Sequence, residues 1–336
     1  MDRWLALGLC LLALGCTTGD EPELVVYAAL DEEFSDPILK DFAQQSNLKV
    51  APKYDTEATK TVGLANAILA EKERPRCDVL WNNEILNTLR LQQAGLLEAY
   101  VSPQAERFPA MYRSANGLWH GFAGRARVLI VNTQLVPNEA DWPRSIRDLA
   151  DAKWRGRCGM AKPLFGTTAT QAACLFAAWG EEQAKAYFQS LLDNEVQILA
   201  GNKQVALGVA QGQIAFGITD TDDAIIEVEK GAPVAIVYPD QGDDQPGTLF
   251  IPNTLAIIRG CPHPDAARKL VDHLLTPAVE KRLAEGASAQ IPLGKGVETQ
   301  IRVETPHTVK AMQVDFGAAA KQWDAAASYL REAFAN

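Results

Sequence analysis

Apolar residues along this chain follow two rhythms that take turns. Short uninterrupted apolar runs, such as those at 24–28, 79–81, 128–131 and 234–237, are separated by longer stretches where apolar residues recur every three or four positions. The first rhythm is that of a strand covered on both faces, the second that of an amphipathic helix. The strand at 24–28 precedes a helix opening at Asp31, Glu32 and Glu33, with Phe34, Ile38, Leu39 and Phe42 on its apolar face. A strand at 48–50 precedes a helix through Val62, Leu64 and Leu69, and a strand at 78–81 precedes one through Ile85, Leu89 and Leu91. A second set starts at 128–131. It adds a helix from Ser145, a long apolar helix ending at Trp179, helices at 181–192 and 204–210, and strands at 196–198 and 214–218. Beyond a polar loop at 240–247, apolar runs return at 249–251 and 255–258. Helices then start near Pro264 and Pro277, and an amphipathic helix runs from about 314. Such alternation predicts the α/β class, a mostly parallel sheet with helices on both faces.

The N-terminus keeps to neither rhythm. Arg3 and the apolar run at 5–14 read as a signal peptide over 1–15, too short to span a bilayer. Gly15 before Cys16, and the polar Thr17, Thr18, Gly19 and Asp20 after it, have the layout of a bacterial lipobox, with Ala13 where Leu is usual. Cys16 is therefore the candidate lipidation site and 16–23 a polar tether; a buried N-terminal helix is the alternative. The expected location is the periplasm or cell envelope, anchored by lipid to a bacterial membrane.

Charge and cysteine usage narrow the function classes. A net charge of −10 without a cluster of Lys and Arg argues against nucleic acid as partner and is compatible with a cationic ligand. Cys77, Cys158, Cys174 and Cys261 are too widely spaced for a pairing to be deduced. With four histidines and no close His/Cys cluster, no structural zinc site is indicated. No Gly-Xaa-Ser-Xaa-Gly elbow occurs and no motif marks an enzyme or a catalytic cofactor; a hydrolase built on paired carboxylates is the lesser alternative.

The chemistry concentrates at Asp220, Asp222 and Asp223, where the strand at 214–218 gives way to a helix through Ile225, Ile226 and Val228. Ligands of open α/β sheets bind at that end of the strands. Helix capping accounts for one or two of these acids and less well for three.

Segments spread over nearly the whole mature sequence resemble an extracellular solute-binding protein of an ABC importer, of the ferric-iron-binding branch. They are Val26-Tyr27 leading to 31–34, then 55–61, 78–84, 95–98, 124–130, 154–157, 252–254, 263–269 and the last helix pair. The resemblance implies a two-lobed type II periplasmic-binding-protein fold, each lobe a mixed, mostly parallel sheet flanked by helices. Lobe one would comprise 24–128 and 251–336, lobe two 129–250, with the ligand trapped by hinge closure. It also implies a monomeric receptor that delivers a small solute to a membrane permease.

One departure matters. Ferric-binding members typically carry two adjacent tyrosines just after the strand that ends here at Ile218, and often a His shortly after the first strand. This chain has Asp220, Asp222 and Asp223 in the one place and Asp31 in the other. The expected metal set is therefore carboxylate-rich: Asp31, Glu57, Glu84, Asp220, Asp222 and Asp223, with Asn82 and Asn83 adding amide oxygens. Hard cations prefer such oxygens, and Fe(III), Mn(II), Ca(II) and Mg(II) all satisfy that preference. Arg125 and Arg127 share one face of a strand, where an accompanying anion or a neighbouring Asp would meet them. Thr168, near a helix start, fits an anion or a plain cap equally. An organic cation or zwitterion is the alternative ligand: an amino-phosphonate on Asp, Arg and Thr, or a polyamine between acids and the rings of Tyr27, Trp81 and Trp119.

Overall fold

The structure, a computed structural model, describes residues 21–55 and 61–335. In chain order the elements are β1 (Leu24–Ala28), α1 (Glu32–Ser46), β2 (Val50–Tyr54), α2 (Val62–Ala70), β3 (Val79–Asn82), α3 (Leu86–Gln93), β4 (Leu97–Glu98) and β5 (His120–Asn132). There follow β6 (Cys158–Ala161), α4 (Gly166–Trp179), α5 (Glu181–Asp193), β7 (Gln197–Leu199), α6 (Asn202–Ala210), β8 (Phe216–Asp220), α7 (Thr221–Glu229) and β9 (Val234–Val237). The last are β10 (Phe250–Ile258), α8 (Pro264–Leu274), α9 (Pro277–Glu285) and α10 (Phe316–Ala333).

The strands lie in the order β2-β1-β3-β10-β5-β8-β6-β7, with β4 added to β10 and β9 to β5. β5 carries the chain from one sheet to the next. Its residues up to Ala126 pair with β10, and from Arg127 onward they pair with β8, joined by β9 from Leu129. β1, β2 and β3 are mutually parallel, as are β6, β7 and β8. β10 and β5 run antiparallel to their neighbours. One apolar core gathers β1, β3, β10, α1 and α8; a second gathers β6, β8 and α5. α4 and α10 serve both, since Ala173 and Trp323 pack in the first while Phe176 and Leu330 pack in the second.

Three boundaries differ from the hydrophobic pattern, each for a physical reason. β2 begins at Val50 and extends to Tyr54, through exposed Pro52 and Lys53. It is an edge strand paired with β1 alone, where a proline without an N–H is tolerated. β5 begins at His120, eight residues before the apolar run, and is buried throughout. Arg125 and Arg127 interrupt its hydrophobicity because their charges are satisfied by buried acids. β10 is continuous across Pro252 and Asn253, where a register shift against β5 absorbs the polar break between two apolar runs.

Close backbone packing sets the site. A Cβ on Gly217 would collide with Val205 of α6 and lie 2.9 Å from the Gly159 carbonyl oxygen. Glycine there lets α6 lie tight on β8, which brings the start of α6 to the C-terminal end of β8.

Candidate functional site

β8 ends at Asp220, and α7 starts at the next residue. Asp220 occupies the N-cap position but makes no side-chain cap hydrogen bond. Its carboxylate is taken by other elements. Oδ1 accepts from Arg127 Nη1 of β5 at 2.7 Å; Oδ2 accepts from Thr167 Oγ1 at 2.5 Å and Asn202 Nδ2 at 2.9 Å. Arg127 is fully buried and further donates to Gln171 Oε1 at 3.0 Å, Asn202 Oδ1 at 3.0 Å and Thr168 Oγ1 at 3.3 Å. This network locks β5, α4, α6 and β8 together, and its satisfied lone pairs are what make a buried ion pair tenable. Thr221 Oγ1 accepts the Ala126 N–H at 3.1 Å and ties the first residue of α7 to β5.

Asp222 and Asp223, in the first turn of α7, face a different environment. One carboxylate oxygen from each of Asp220, Asp222 and Asp223 lies within 4.8 Å of the others. They border a cavity of about 30 Å³ that is also lined by Asp31, Asn83, Arg125, Lys162, Phe165, Gly166, Thr167, Thr168 and Asn202. That volume holds about two water-sized groups, so these walls admit an ion or a small oxyanion, and a larger solute only after they part. The first turns of α1, α4, α6 and α7 border the cavity or its rim, an arrangement that favours negative charge there. Arg125 sits among the acids, its Nη1 3.3 Å from Asp222 Oδ2. Burial pulls its pKa down, but the carboxylates of Asp222, Asp220, Asp31 and Asp223 outweigh this and raise it. Asn83 Oδ1, an acceptor, and Arg125 Nε, a donor, are buried here without a hydrogen-bond partner. At the rim, Lys203 of α6 reaches Glu33 of α1 at 3.2 Å.

Asp31, Asn83, Arg125, Thr168, Asp220, Asp222 and Asp223 thus meet at one cavity, with Arg127 directly behind Asp220. Other candidates lie elsewhere. Glu84 is fully buried and consumed: it accepts from Leu86 N at 2.5 Å, Asn87 N at 3.0 Å, Asn82 Nδ2 at 2.8 Å and Thr170 Oγ1 at 2.8 Å. It caps α3 and staples it to α4, so it leaves the expected metal set, and Asn82, which donates to it, is a support for that cap. Glu57 and the lipobox cysteine Cys16 lie outside the described residues. The aromatic walls expected for a polyamine are absent from the cavity, because Tyr27, Trp81 and Trp119 are core residues. The loop after residue 239 is solvated at Asp243 and Asp244, but Asp240 is buried and accepts from Ser145 Oγ at 2.5 Å. Lys162, Phe165 and Asn202 escaped the sequence reading. Lys162 follows the last residue of β6, where the strand-end rule points to it; nothing in the sequence singles out Asn202. The four described cysteines are free and buried, and burial pushes the Cys158 thiol up to about 12 and that of Cys261 to about 11.

Two sheets sharing a long strand, with a polar cavity at their strand ends, define a type II periplasmic-binding-protein fold. The structure is similar to iron-bound HitA from Pseudomonas aeruginosa, with a TM-score of 0.82 and 25% identity, covering 92% of this chain and 98% of that one. A family model described as bacterial extracellular solute-binding protein matches residues 88–320, and the chain belongs to that family. It is a solute-binding transport family of ABC importers, not an enzyme family. Iron uptake protein A2 of Synechocystis sp. is 28% identical over 246 residues, 70% of each chain. The putative 2-aminoethylphosphonate-binding periplasmic protein of Salmonella typhi is 25% identical over 222 residues, 64% of this chain and 62% of its own. Among the described residues, no helix is long and apolar enough to cross a membrane.

Proposed function

We propose that this protein is the lipid-anchored receptor of an ABC importer and that its cargo is a hard cation of the ferric type. The observation that carries the reading is the meeting of three carboxylates within 4.8 Å beside the buried, unpartnered Asn83 Oδ1. Asp222, Asp223, Asp31 and Asn83 would supply oxygen ligands, and Asp220, held by Arg127, would fix the geometry of the cluster. Oxygen donors of this kind suit Fe(III) in place of phenolates. The similarity to iron uptake protein A2 and to iron-bound HitA supports the same cargo. Residues 24–128 and 251–336 would move as one lobe and 129–250 as the other, about the crossing strands β5 and β10. The cargo would hold the closed state by binding it more tightly than the open one. Cys16 would carry the lipid and 16–23 the tether, leaving a monomer free to meet its permease.

A second reading is favoured by the opposite wall. α4 starts at Gly166 with no side-chain cap, and Lys162, Thr168 and Arg125 line the same cavity. An amino-phosphonate would place its ammonium on the aspartates and its phosphonate on that wall.

Thermal denaturation of the Cys16→Ser chain with ferric citrate, Mn(II), Ca(II), spermidine and 2-aminoethylphosphonate separates these. At a hundredfold excess over Kd, the true ligand raises Tm by about 4 °C. A rise with ferric citrate supports the first reading, whereas a rise with the phosphonate alone overturns it in favour of the second. No rise with any of them contradicts the receptor reading.

A further inference from the structure

The strand that joins the two sheets is not regular where it passes the cavity. Pro252 of β10 pairs with Gly124, but Asn253 pairs with Phe122, so Ala123 is an extra, bulged residue in β5. Its φ is 39°. A residue with a Cβ keeps that left-handed conformation only where its surroundings over-determine it. Two buried side chains do so here. Glu280 Oε1 accepts the Ala123 N–H at 3.0 Å, and Asn253 Nδ2 donates to the Ala123 carbonyl oxygen. The other end of the Asn253 amide, Oδ1, accepts from Arg125 Nη2 at 3.0 Å. Arg125 Nη1 in turn faces Asp222. One rigid guanidinium plane therefore spans from a cavity carboxylate to the amide that holds the bulge. Asn253 itself is fully buried and does not line the cavity.

We propose that Asp222, Arg125, Asn253 and Ala123 form a strut that transmits charge at the cavity to the crossing strand, making Asn253 a positioning residue for cleft closure. The inference rests on the cleft reading above, since a solute must reach Asp222 for the strut to respond. A cation arriving there competes with Arg125 for the same carboxylate. The guanidinium then turns about its hydrogen bond to Asn253, and the amide carries the turn to the Ala123 peptide. Coupling of this kind is reciprocal: a change at the bulge alters affinity at Asp222 by the factor through which the solute alters the bulge.

The test compares the wild type, Asn253→Ala, Asn253→Asp and Ala123→Gly by calorimetric titration and by small-angle scattering with and without ferric citrate or 2-aminoethylphosphonate. The wild type should bind one of the probes and contract. Asn253→Ala should bind it about 10-fold more weakly and contract less at equal occupancy. Asn253→Asp keeps an acceptor for Arg125 but loses the donor to the Ala123 carbonyl oxygen, so it should recover part of the affinity and none of the contraction. Ala123→Gly keeps every side chain of the strut while releasing the backbone restriction, so it should shift affinity and contraction in the same direction by a smaller factor. It decides the matter alone if Asn253→Ala does not fold. A merely structural Asn253 would lower Tm and leave affinity and contraction at wild-type values, and that result overturns the strut while the cleft reading stands. A wild type that binds neither probe overturns both.

Discussion

Two arginine–aspartate pairs stand side by side at the cavity, built from the same residue types two positions apart. In the inner pair, Arg127 meets Asp220 at 2.7 Å with side-chain exposures of 0% and 4%, and Thr167, Thr168, Gln171 and Asn202 all join in. In the outer pair, Arg125 meets Asp222 at 3.3 Å with exposures of 3% and 9%, and Arg125 keeps an unpartnered Nε. The inner pair is built into the wall; the outer pair is where, on the proposed reading, a cargo would find partners. The difference comes from what surrounds each aspartate, not from the aspartates: Asp220 ends a strand between α4 and α6, while Asp222 lies one step into a helix whose first turn borders the cavity. A triplet of acids in a sequence is therefore not three equal ligands.

The sharpest break of this contrast is Asp220→Ala. Leaving Arg127 buried without its carboxylate should cost about 3–5 kcal/mol, read as a lower midpoint in urea unfolding. An Asp220→Ala protein of wild-type stability would mean that the inner pair is not structural. Next in size is Asp222→Ala/Asp223→Ala. Solute affinity should fall about 100-fold, the loss expected when hydrogen-bonded charged ligands are removed, in a calorimetric titration. The unliganded Tm should also fall, though less than in Asp220→Ala, because Arg125 stays buried while Asp220 and Asp31 still offset its charge. Glu84→Gln should lower stability by about 1–3 kcal/mol while leaving affinity for the cargo unchanged, because Glu84 caps α3 and does not reach the cavity. A loss of cargo affinity equal to that of the double variant would return Glu84 to the ligand set. The smallest effect belongs to the rim. Lys203 and Glu33 are about half exposed, and Lys203→Ala should change stability by less than about 1 kcal/mol, with the difference vanishing at high salt.

How far the chain could be read from its letters follows the same division. The strand–helix alternation was visible because strands such as β1, β3 and β9 are uninterrupted apolar runs, and the helices α1, α8 and α10 keep a clean apolar face. The start of β5 at His120 was hidden because its apolar run begins only at Val128. Arg125 and Arg127 were legible as strand residues, but only the acids they meet across the fold explain why charges are buried there. The Asp triplet was visible as chemistry at a strand end. The separate duties of its members were not, since these depend on Asn202, Thr167 and Arg127 converging from three other elements. Glu84 shows the converse failure. It has the composition of a ligand and the backbone position of a cap, and the latter depends on how Leu86 and Asn87 present their N–H groups.

The central claim is that the outer acids hold the cargo and the inner pair holds the wall. Its most direct measurement is the iron content after equilibrium dialysis against ferric citrate, taken on wild type, Asp222→Ala/Asp223→Ala and Glu84→Gln. The account expects close to one equivalent of iron on the wild type and on Glu84→Gln, and close to none on the double variant. Equal iron on the wild type and the double variant, or none on the wild type, would contradict it.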